Sequence, residues 1–597
     1  MALPMVFDIP VVRALYASGR YSPATLIAEL LTRIESADPA VFITRSPIDY
    51  LTAAIAELYE RAPDVNSLPL WGVPFVVKDN IDVAGLPTTA ACPAFEYLVD
   101  TDATVVARLR AAGAIVLGKT NLDQFATGLN GTRSPYGAPR SVFNGDYISG
   151  GSSSGSAVAV AAGLACFSLG TDTAGSGRVP ASFNNIVGIK PTPGLLSTSG
   201  VVPACRSLDC VSIFALTVGD GAEIRRVAEG FDAADPYSRK CSPTPLPGAG
   251  LRVGILAPAD REFFGDAEAA LIYEDAIARL GETTVEIDFA PFRETAALLY
   301  QGPWVAERLA AYQSFGVSVA DLDPSVRTII MNGAAHNAAD AFRGLYALEA
   351  LKRRADAEWA KVDILLLPTV PTTYRVDEML ADPIALNSRL GTYTNFFNLL
   401  GLSGIAVPAG FRKDGLPVGV TLAARGFQDE ALVPIADRLH RASGTGKGRD
   451  RTATSFSDAI PAADDGRLPL IVVGAHLSGM VLNREMQAAG ATLIRPARTT
   501  GEYRLFVIPD TQPSKPGLIH VPGHEGAGID VEIWSFDPAA FGRFVEKIPA
   551  PLGIGKISLD DGSQVSGFLC ETFALEGATE ITHFGGWRDY IASLTQS

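Results

Sequence analysis

The chain has 597 residues, 47% hydrophobic and 19% charged, which describes a globular protein with a large core and excludes a disordered one. With 49 Lys and Arg against 65 Asp and Glu, the formal charge is −16. That argues against a nucleic-acid partner and leaves any anionic substrate to a local cationic cluster. In chain order, Val11 to Ser36 shows apolar positions at helical spacing, broken at Gly19 and restarted at Ser22-Pro23. Short β-rich runs (Val73–Val77, Ala114–Leu117, Ile364–Leu367, Ile405–Val407 and Val418–Leu422) alternate with longer helical stretches, which predicts an α/β layered domain over residues 1–440. Arg441 to Arg467 is small, polar and nearly free of large apolar residues, and reads as a linker. Leu468 to Ser597 then restarts with LPLIVVGAH and continues with YRLFVIP, GIDVEIWSF and SGFLCETF, a second domain dominated by strands.

Six scattered cysteines (Cys92, Cys166, Cys205, Cys210, Cys241, Cys570) without a CxxC pair predict reduced thiols and a cytoplasmic location. The opening MALPMVFDIP has no basic segment before an apolar one, so no signal peptide is expected. No uninterrupted apolar run approaches the length of a membrane span.

The richest stretch is Gly150 to Thr192, with Ser152 in one Gly/Ser cluster and Ser176 in a second. Glycine is placed where backbone turns tightly or approaches a ligand, and Gly beside Ser with free N–H groups suits a nucleophile and its oxyanion site. The apolar segment between them, Ala157 to Leu169, reads as a buried helix rather than part of a flexible linker. Lys78 follows the apolar strand GVPFVV, and burial there would lower its pKa enough to make it a base.

These pieces resemble the amidase signature family of serine hydrolases, over about residues 5 to 440. GVPFVVKD matches that family's lysine motif at Lys78, GGSS its cis serine at Ser152, and Thr171-Asp172-Thr173-Ala174-Gly175-Ser176 its nucleophile motif at Ser176. Ser154 and Ala174 stand where the family usually has glycine. The resemblance implies a mixed central sheet covered by helices and a Lys78–Ser152–Ser176 triad. It also implies an oxyanion hole from the N–H groups of Thr173, Ala174, Gly175 and Ser176, and no cofactor or metal.

Two other patterns are set aside. Gly113 to Thr120 satisfies GxxxxGKT, but a helix precedes the first Gly and AIVL between the glycines is itself a strand, the wrong order for phosphate binding. Gly151 to Gly155 fits the nucleophile elbow around Ser153, but the preceding residues are weakly strand-like. Only His336 and His440, read as surface residues of helical stretches, follow in the first domain.

In Leu298 to Tyr312, Tyr300, Trp304 and Arg308 recur every four residues and would share one helix face. A Tyr hydroxyl and a guanidinium side by side make a carboxylate clamp, although an amphipathic helix with a surface salt bridge fits the same spacing. The phrases Asp123–Leu129, Gly131–Gly137 and Val473-Gly474-Ala475-His476-Leu477 resemble the allophanate hydrolase branch of the family. That resemblance implies allophanate as a small-molecule substrate, held by Tyr300 and Arg308. It implies a strand-rich α+β C-terminal domain of γ-glutamylcyclotransferase-like fold that decarboxylates the N-carboxycarbamate product, with His476 catalytic or merely closing a strand. A homodimer and functional coupling to a urea carboxylase also follow from it. Other small amides, or the glutaminase role within a tRNA-dependent amidotransferase, are the alternatives. His520, His524 and Glu525 lack further spaced ligands for a metal.

Overall fold

The computed structural model describes the chain apart from residues 1–2, 66, 242, 248–249, 457–466, 510, 561–563 and 595–597. It divides into two compact units, residues 1–461 and 462–597. The first is built on an eleven-stranded mixed sheet covered by helices. From edge to edge its strands begin at Phe42, Ile115, Pro74, Phe167, Val211, Val187, Ser403, Pro417, Ile364, Arg252 and Thr283. Neighbours at Pro74–Lys78 run parallel on both sides, and the strands from Phe167 to Ile364 in that order pair antiparallel. The central strands are buried along their whole length, which explains why they read as continuous apolar runs rather than alternating ones.

The N-terminal helical stretch splits into Ile9–Ala17 and Pro23–Glu35, the second capped by Ser22 with Thr25 returning a bond to the cap. Ala157 to Leu169 is not one helix. The helix Ser154–Ala161 stops before Gly163, which takes φ +69°, and the strand Phe167–Thr171 follows. A Cβ on Gly163 would sit 2.0 Å from the Met5 carbonyl oxygen, so the turn requires glycine. In Gly113 to Thr120 the strand Ile115–Thr120 occupies the space a phosphate loop would need, after the helix Thr104–Ala111. Lys119 there is buried against Asp79 at 3.3 Å.

The segment 441–467 begins within the first unit rather than as a free linker. Arg441 to Ser443 finish the helix Asp429–Ser443, and Lys447 makes a buried ion pair with Asp8 at 2.6 Å. Asn185 donates to the Thr445 and Gly448 carbonyls, which ties the chain down further. Small polar composition therefore marks tight backbone packing here as well as a boundary, which falls within 457–466, outside the described residues. His440 is fully buried rather than a surface residue, edge-on to Phe456, and burial pushes it down to about 3.

The second unit holds a five-stranded sheet, with strands beginning in order at Thr492, Asp530, Leu468, Gln564 and Leu552. A three-stranded sheet is formed by Lys515–His520, Tyr503–Ile508 and Thr579–Glu580. Its own core gathers Leu470, Ile471, Val472, Ile533, Trp534 and Phe536. Among the described residues no helix is long and apolar enough to cross a membrane.

Candidate active site

Lys78 ends the strand Pro74–Lys78 and Thr171 ends its parallel neighbour Phe167–Thr171, so the sheet presents both at one edge of the same layer. Lys78 is fully buried, and its Nζ lies 2.7 Å from both Ser152 Oγ and Thr171 Oγ1. The Lys78–Ser152 contact works in either direction: a protonated amine donates, a neutral one accepts the serine proton. Burial brings Lys78 down from 10.5 to about 7, opposed by the charges of Asp123, Asp209 and Asp172.

Ser152 follows a cis peptide bond from Gly151. The Asp123 loop fixes that turn: Asp123 N–H donates to the Ser152 carbonyl (3.1 Å) and Gly151 N–H to Leu129 (2.8 Å), while the Asp123 carboxylate accepts from the N–H groups of Gly131 and Arg133. A Cβ on Gly151 would come within 2.2 Å of Asp123 Oδ2, so no other residue fits there. Ser153 does not act as an elbow nucleophile. Its hydroxyl donates to the Thr171 carbonyl (3.2 Å), and the helix from Ser154 begins without a strand before it.

Ser176 lies in the turn after Thr171. Its hydroxyl donates to the Gly128 carbonyl at 3.4 Å, and no hydrogen bond joins it to Ser152. Asp172 braces the turn from inside: its carboxylate accepts from Gly175 N–H (2.8 Å) and Gly177 N–H (3.1 Å) and pairs with Arg178 at 2.9 Å, all fully buried. Burial would raise Asp172, but Arg178, Lys190 and the N–H donors hold it below the usual carboxylate range. Arg178 also lies 4.0 Å from the centre of the Phe397 ring. Asn398 donates to the carbonyls of Asp172 (2.6 Å) and Thr173 (3.2 Å).

Among the four N–H groups expected to bind an oxyanion, those of Thr173, Ala174 and Ser176 make no hydrogen bond among the described residues. Gly175 differs, because the Asp172 carboxylate takes its N–H. Three donors remain free, and the fourth stiffens the turn that aims them.

Tyr300 and Arg308 do not share one helix. Gly302 takes an extended conformation before Pro303, which has no N–H to continue the ladder, so Tyr300 lies in the last turn of the helix Ala290–Gln301 and Arg308 in Trp304–Gln313. The bend still brings them together: Arg308 donates to the Tyr300 hydroxyl at 3.4 Å and lies 5.3 Å from its ring centre. Its other terminal nitrogen donates to Thr127 Oγ1 at 3.2 Å, one residue from the Gly128 carbonyl that holds Ser176. Arg308 is buried, its Nε has no hydrogen-bond partner, and among the described residues no carboxylate lies within ion-pair distance. Beside Tyr300 a cleft of about 720 Å³ opens, lined by Leu129, Arg133, Asn387 and Asn395.

In the second unit His476 follows the strand Leu468–Val472 and stacks on Phe568. Burial lowers its pKa, against Glu485 at 3.5 Å. It lines a cavity of about 290 Å³ with Glu485, Lys515 and Lys547. His520 lies 3.4 Å from Glu502, and among the described residues no group of three His, Cys, Asp or Glu is placed to hold a metal ion.

Sequence reasoning missed Thr171, Asp172, Arg178, Asp209, Thr127 and Asn398. Asp172 and Thr171 stand inside the nucleophile motif and could have been read as its braces. Arg178 stands two residues past Ser176 and Thr127 within the phrase Asp123–Leu129, whereas Asp209 and Asn398 reach the turn from 36 and 226 positions away and carry no local signal.

The Amidase family model matches residues 25–433, and the model described as allophanate hydrolase C-terminal domain matches residues 468–592. The chain therefore belongs to the amidase family. It is 46% identical over 548 residues to the urea amidolyase of Lachancea kluyveri, covering 89% of this chain and 30% of that protein. Its length is thus about a third of the urea amidolyases it matches. It is 37% identical to a glutamyl-tRNA(Gln) amidotransferase subunit from Symbiobacterium thermophilum, over 71% of this chain and 94% of that one. The solved structure of Kluyveromyces lactis allophanate hydrolase aligns with a TM-score of 0.81 at 40% identity, over 98% of this chain and 99% of that chain.

Proposed function

We propose that this amidase hydrolyses allophanate in urea degradation, in the cytoplasm, with Ser176 as nucleophile and Lys78 and Ser152 as its proton relay. The observation that carries the substrate is Arg308, a buried cation beside Tyr300 that among the described residues has no carboxylate within ion-pair distance, Asp209 and Glu307 acting on it only from farther away. Buried charges are normally paired, and a substrate carboxylate would complete this one. Ser176 turns its hydroxyl from Gly128 toward Ser152 and attacks the terminal amide carbonyl. Its proton passes to Ser152 while the Ser152 proton passes to neutral Lys78. The oxyanion meets the N–H groups of Thr173, Ala174 and Ser176, the relay returns a proton to the leaving nitrogen, and ammonia departs. Water then releases N-carboxycarbamate from Ser176 by the same relay. The similarity to urea amidolyases supports coupling to a urea carboxylase that supplies the substrate.

Purified protein should release ammonia from allophanate much faster than from malonamate, glutamine or a neutral aliphatic amide. Preference for glutamine would replace this reading with a glutaminase, and preference for the neutral amide with a general amidase.

Arg308→Ala should lower kcat/KM for allophanate roughly ten- to a hundredfold, the worth of a charge-assisted contact of about 1.5–3 kcal/mol. Tyr300→Phe should lose less, and a neutral amide should be hydrolysed about equally by wild type and Arg308→Ala. Equal losses on both substrates would make Arg308 a structural residue.

The C-terminal domain is assigned the decarboxylation of N-carboxycarbamate, with His476 in the cavity it shares with Lys515 and Lys547. Deleting Leu468 to Ser597 should leave an amidase that releases ammonia and accumulates a carboxylated product. His476→Ala in the full chain should show the same product with unchanged first-step kinetics. Carbon dioxide release by the truncated protein as fast as its ammonia release would remove this second role.

A further inference from the structure

The oxyanion turn has a third anchor, on a side the triad does not occupy. The strands Phe167–Thr171 and Val211–Ala215 pair antiparallel with Thr171 opposite Val211. Two residues beyond that pair, the same register sets Asp209 opposite Thr173. The Thr173 hydroxyl donates to Asp209 Oδ1 at 2.5 Å, and the carboxylate also accepts the N–H groups of Ala204 (2.8 Å) and Cys205 (3.0 Å). Beyond it lies a separate cavity of about 380 Å³, lined by Asp209 with Arg206, Tyr97, Val202 and Phe315, and not by Lys78, Ser152, Ser176, Tyr300 or Arg308.

We propose that Asp209 is a positioning residue of the amide hydrolysis: through the Thr173 hydroxyl it holds the first N–H of the oxyanion turn on target. Asp172 and Asn398 grip the turn at other points, on the N–H groups of Gly175 and Gly177 and on the carbonyls of Asp172 and Thr173. Among the described residues, Asp209 alone hydrogen-bonds the Thr173 side chain. A stiff donor array avoids reorganisation as the oxyanion forms, so a loosened Thr173 should cost turnover rather than binding.

The same carboxylate couples the turn to the base. Burial pushes Asp209 up to about 6, against the Thr173 hydroxyl, Arg308 and the Cys205 and Ala204 N–H groups. Arg206, Asp82 and Asp235 line its cavity, and Glu307 contacts the neighbouring Cys205. Above that range its negative charge raises the pKa of Lys78, as Asp123 and Asp172 also do. Removing the charge should let Lys78 lose its proton more readily and move the acid limb of kcat to lower pH.

This rests on the amidase reading and not on the identity of the amide, so any small amide that wild type hydrolyses serves as the probe. Asp209→Asn keeps size but leaves one acceptor oxygen where the carboxylate serves three donors, the Thr173 hydroxyl and the Ala204 and Cys205 N–H groups, so its amide nitrogen sets a donor against a donor and breaks the grip on Thr173. It should lower plateau kcat roughly tenfold or more with KM little changed, and shift the acid limb to lower pH. Thr173→Val should lower plateau kcat comparably and leave the limb in place. The double variant should be about as slow as the slower single one, because both cut the same contact. An unchanged plateau kcat in Thr173→Val, additive losses in the double variant, or an unmoved limb in Asp209→Asn would overturn the inference while the amidase reading stands. Absence of any amide hydrolysis by wild type would overturn both.

Discussion

Ser176→Ala is expected to reduce amide turnover by several orders of magnitude, the largest effect of any single substitution in this chain. No other hydroxyl can take its place. Ser152 is held against Lys78 at 2.7 Å, and Ser153 donates to the Thr171 carbonyl. With the nucleophile gone, the proposed oxyanion donors and carboxylate clamp should still bind substrate, so KM should change far less than kcat. The fold should barely notice. Ser176 Oγ makes one long contact, 3.4 Å to Gly128, worth about 0.5 kcal/mol at most. Rates of ammonia release, a mass-spectrometric search for the acyl-enzyme, and a melting curve test this together. Near-normal turnover in a folded Ser176→Ala would remove the mechanism.

Lys78→Met should be nearly as severe, because the methionine fills the space of the lysine stem but accepts no proton. Wild-type kcat should rise with pH through about 7, where the buried amine becomes neutral, and not through the ordinary lysine range. The same shift carries a stability cost of definite sign. Between about 7 and 10.5 the unfolded chain binds a proton at this lysine that the folded chain does not, so this group makes folding more favourable as pH rises across that window. Below it the penalty of burying the amine is fully present. The melting temperature of Lys78→Met relative to wild type should therefore improve as pH falls from 10.5 to 7 and level off below. A difference independent of pH would mean that Lys78 is not a buried, shifted amine.

Much of the site is legible in the chain because its requirements are local. Two Gly/Ser clusters and a lysine at the end of an apolar strand each announce themselves within a few residues; the cis bond before Ser152 is implied only by the family resemblance. Other readings failed where one pattern was extended across a break. Ala157 to Leu169 is apolar throughout, and a uniform run does not distinguish helix from buried strand; Gly163 at φ +69° divides it. Tyr300, Trp304 and Arg308 keep a spacing of four across Gly302-Pro303, the strongest local signal that the helix ends there. Within the small polar run that reads as a linker, residues 445–448 are buried and tied to Asp8 and Asn185.

What the sequence by itself determined is the class of chemistry, an amidase, and the division into an α/β body and a strand-rich unit; its candidates for nucleophile and base, Ser176 and Lys78, are what the proposed mechanism puts to the test. Those follow from residue type and short-range backbone demands. Tertiary structure decided whether the chemistry can run. Burial brings Lys78 down to about 7, and the charges of Asp123, Asp209 and Asp172 set how far burial can push it. Arg308 meets Tyr300 because two helices bend at Gly302, and Asp209 meets Thr173 because two antiparallel strands share a register. Desolvation and charge pairing are properties of everything packed around a group, and residues 36 to 226 positions apart supply them at the oxyanion turn.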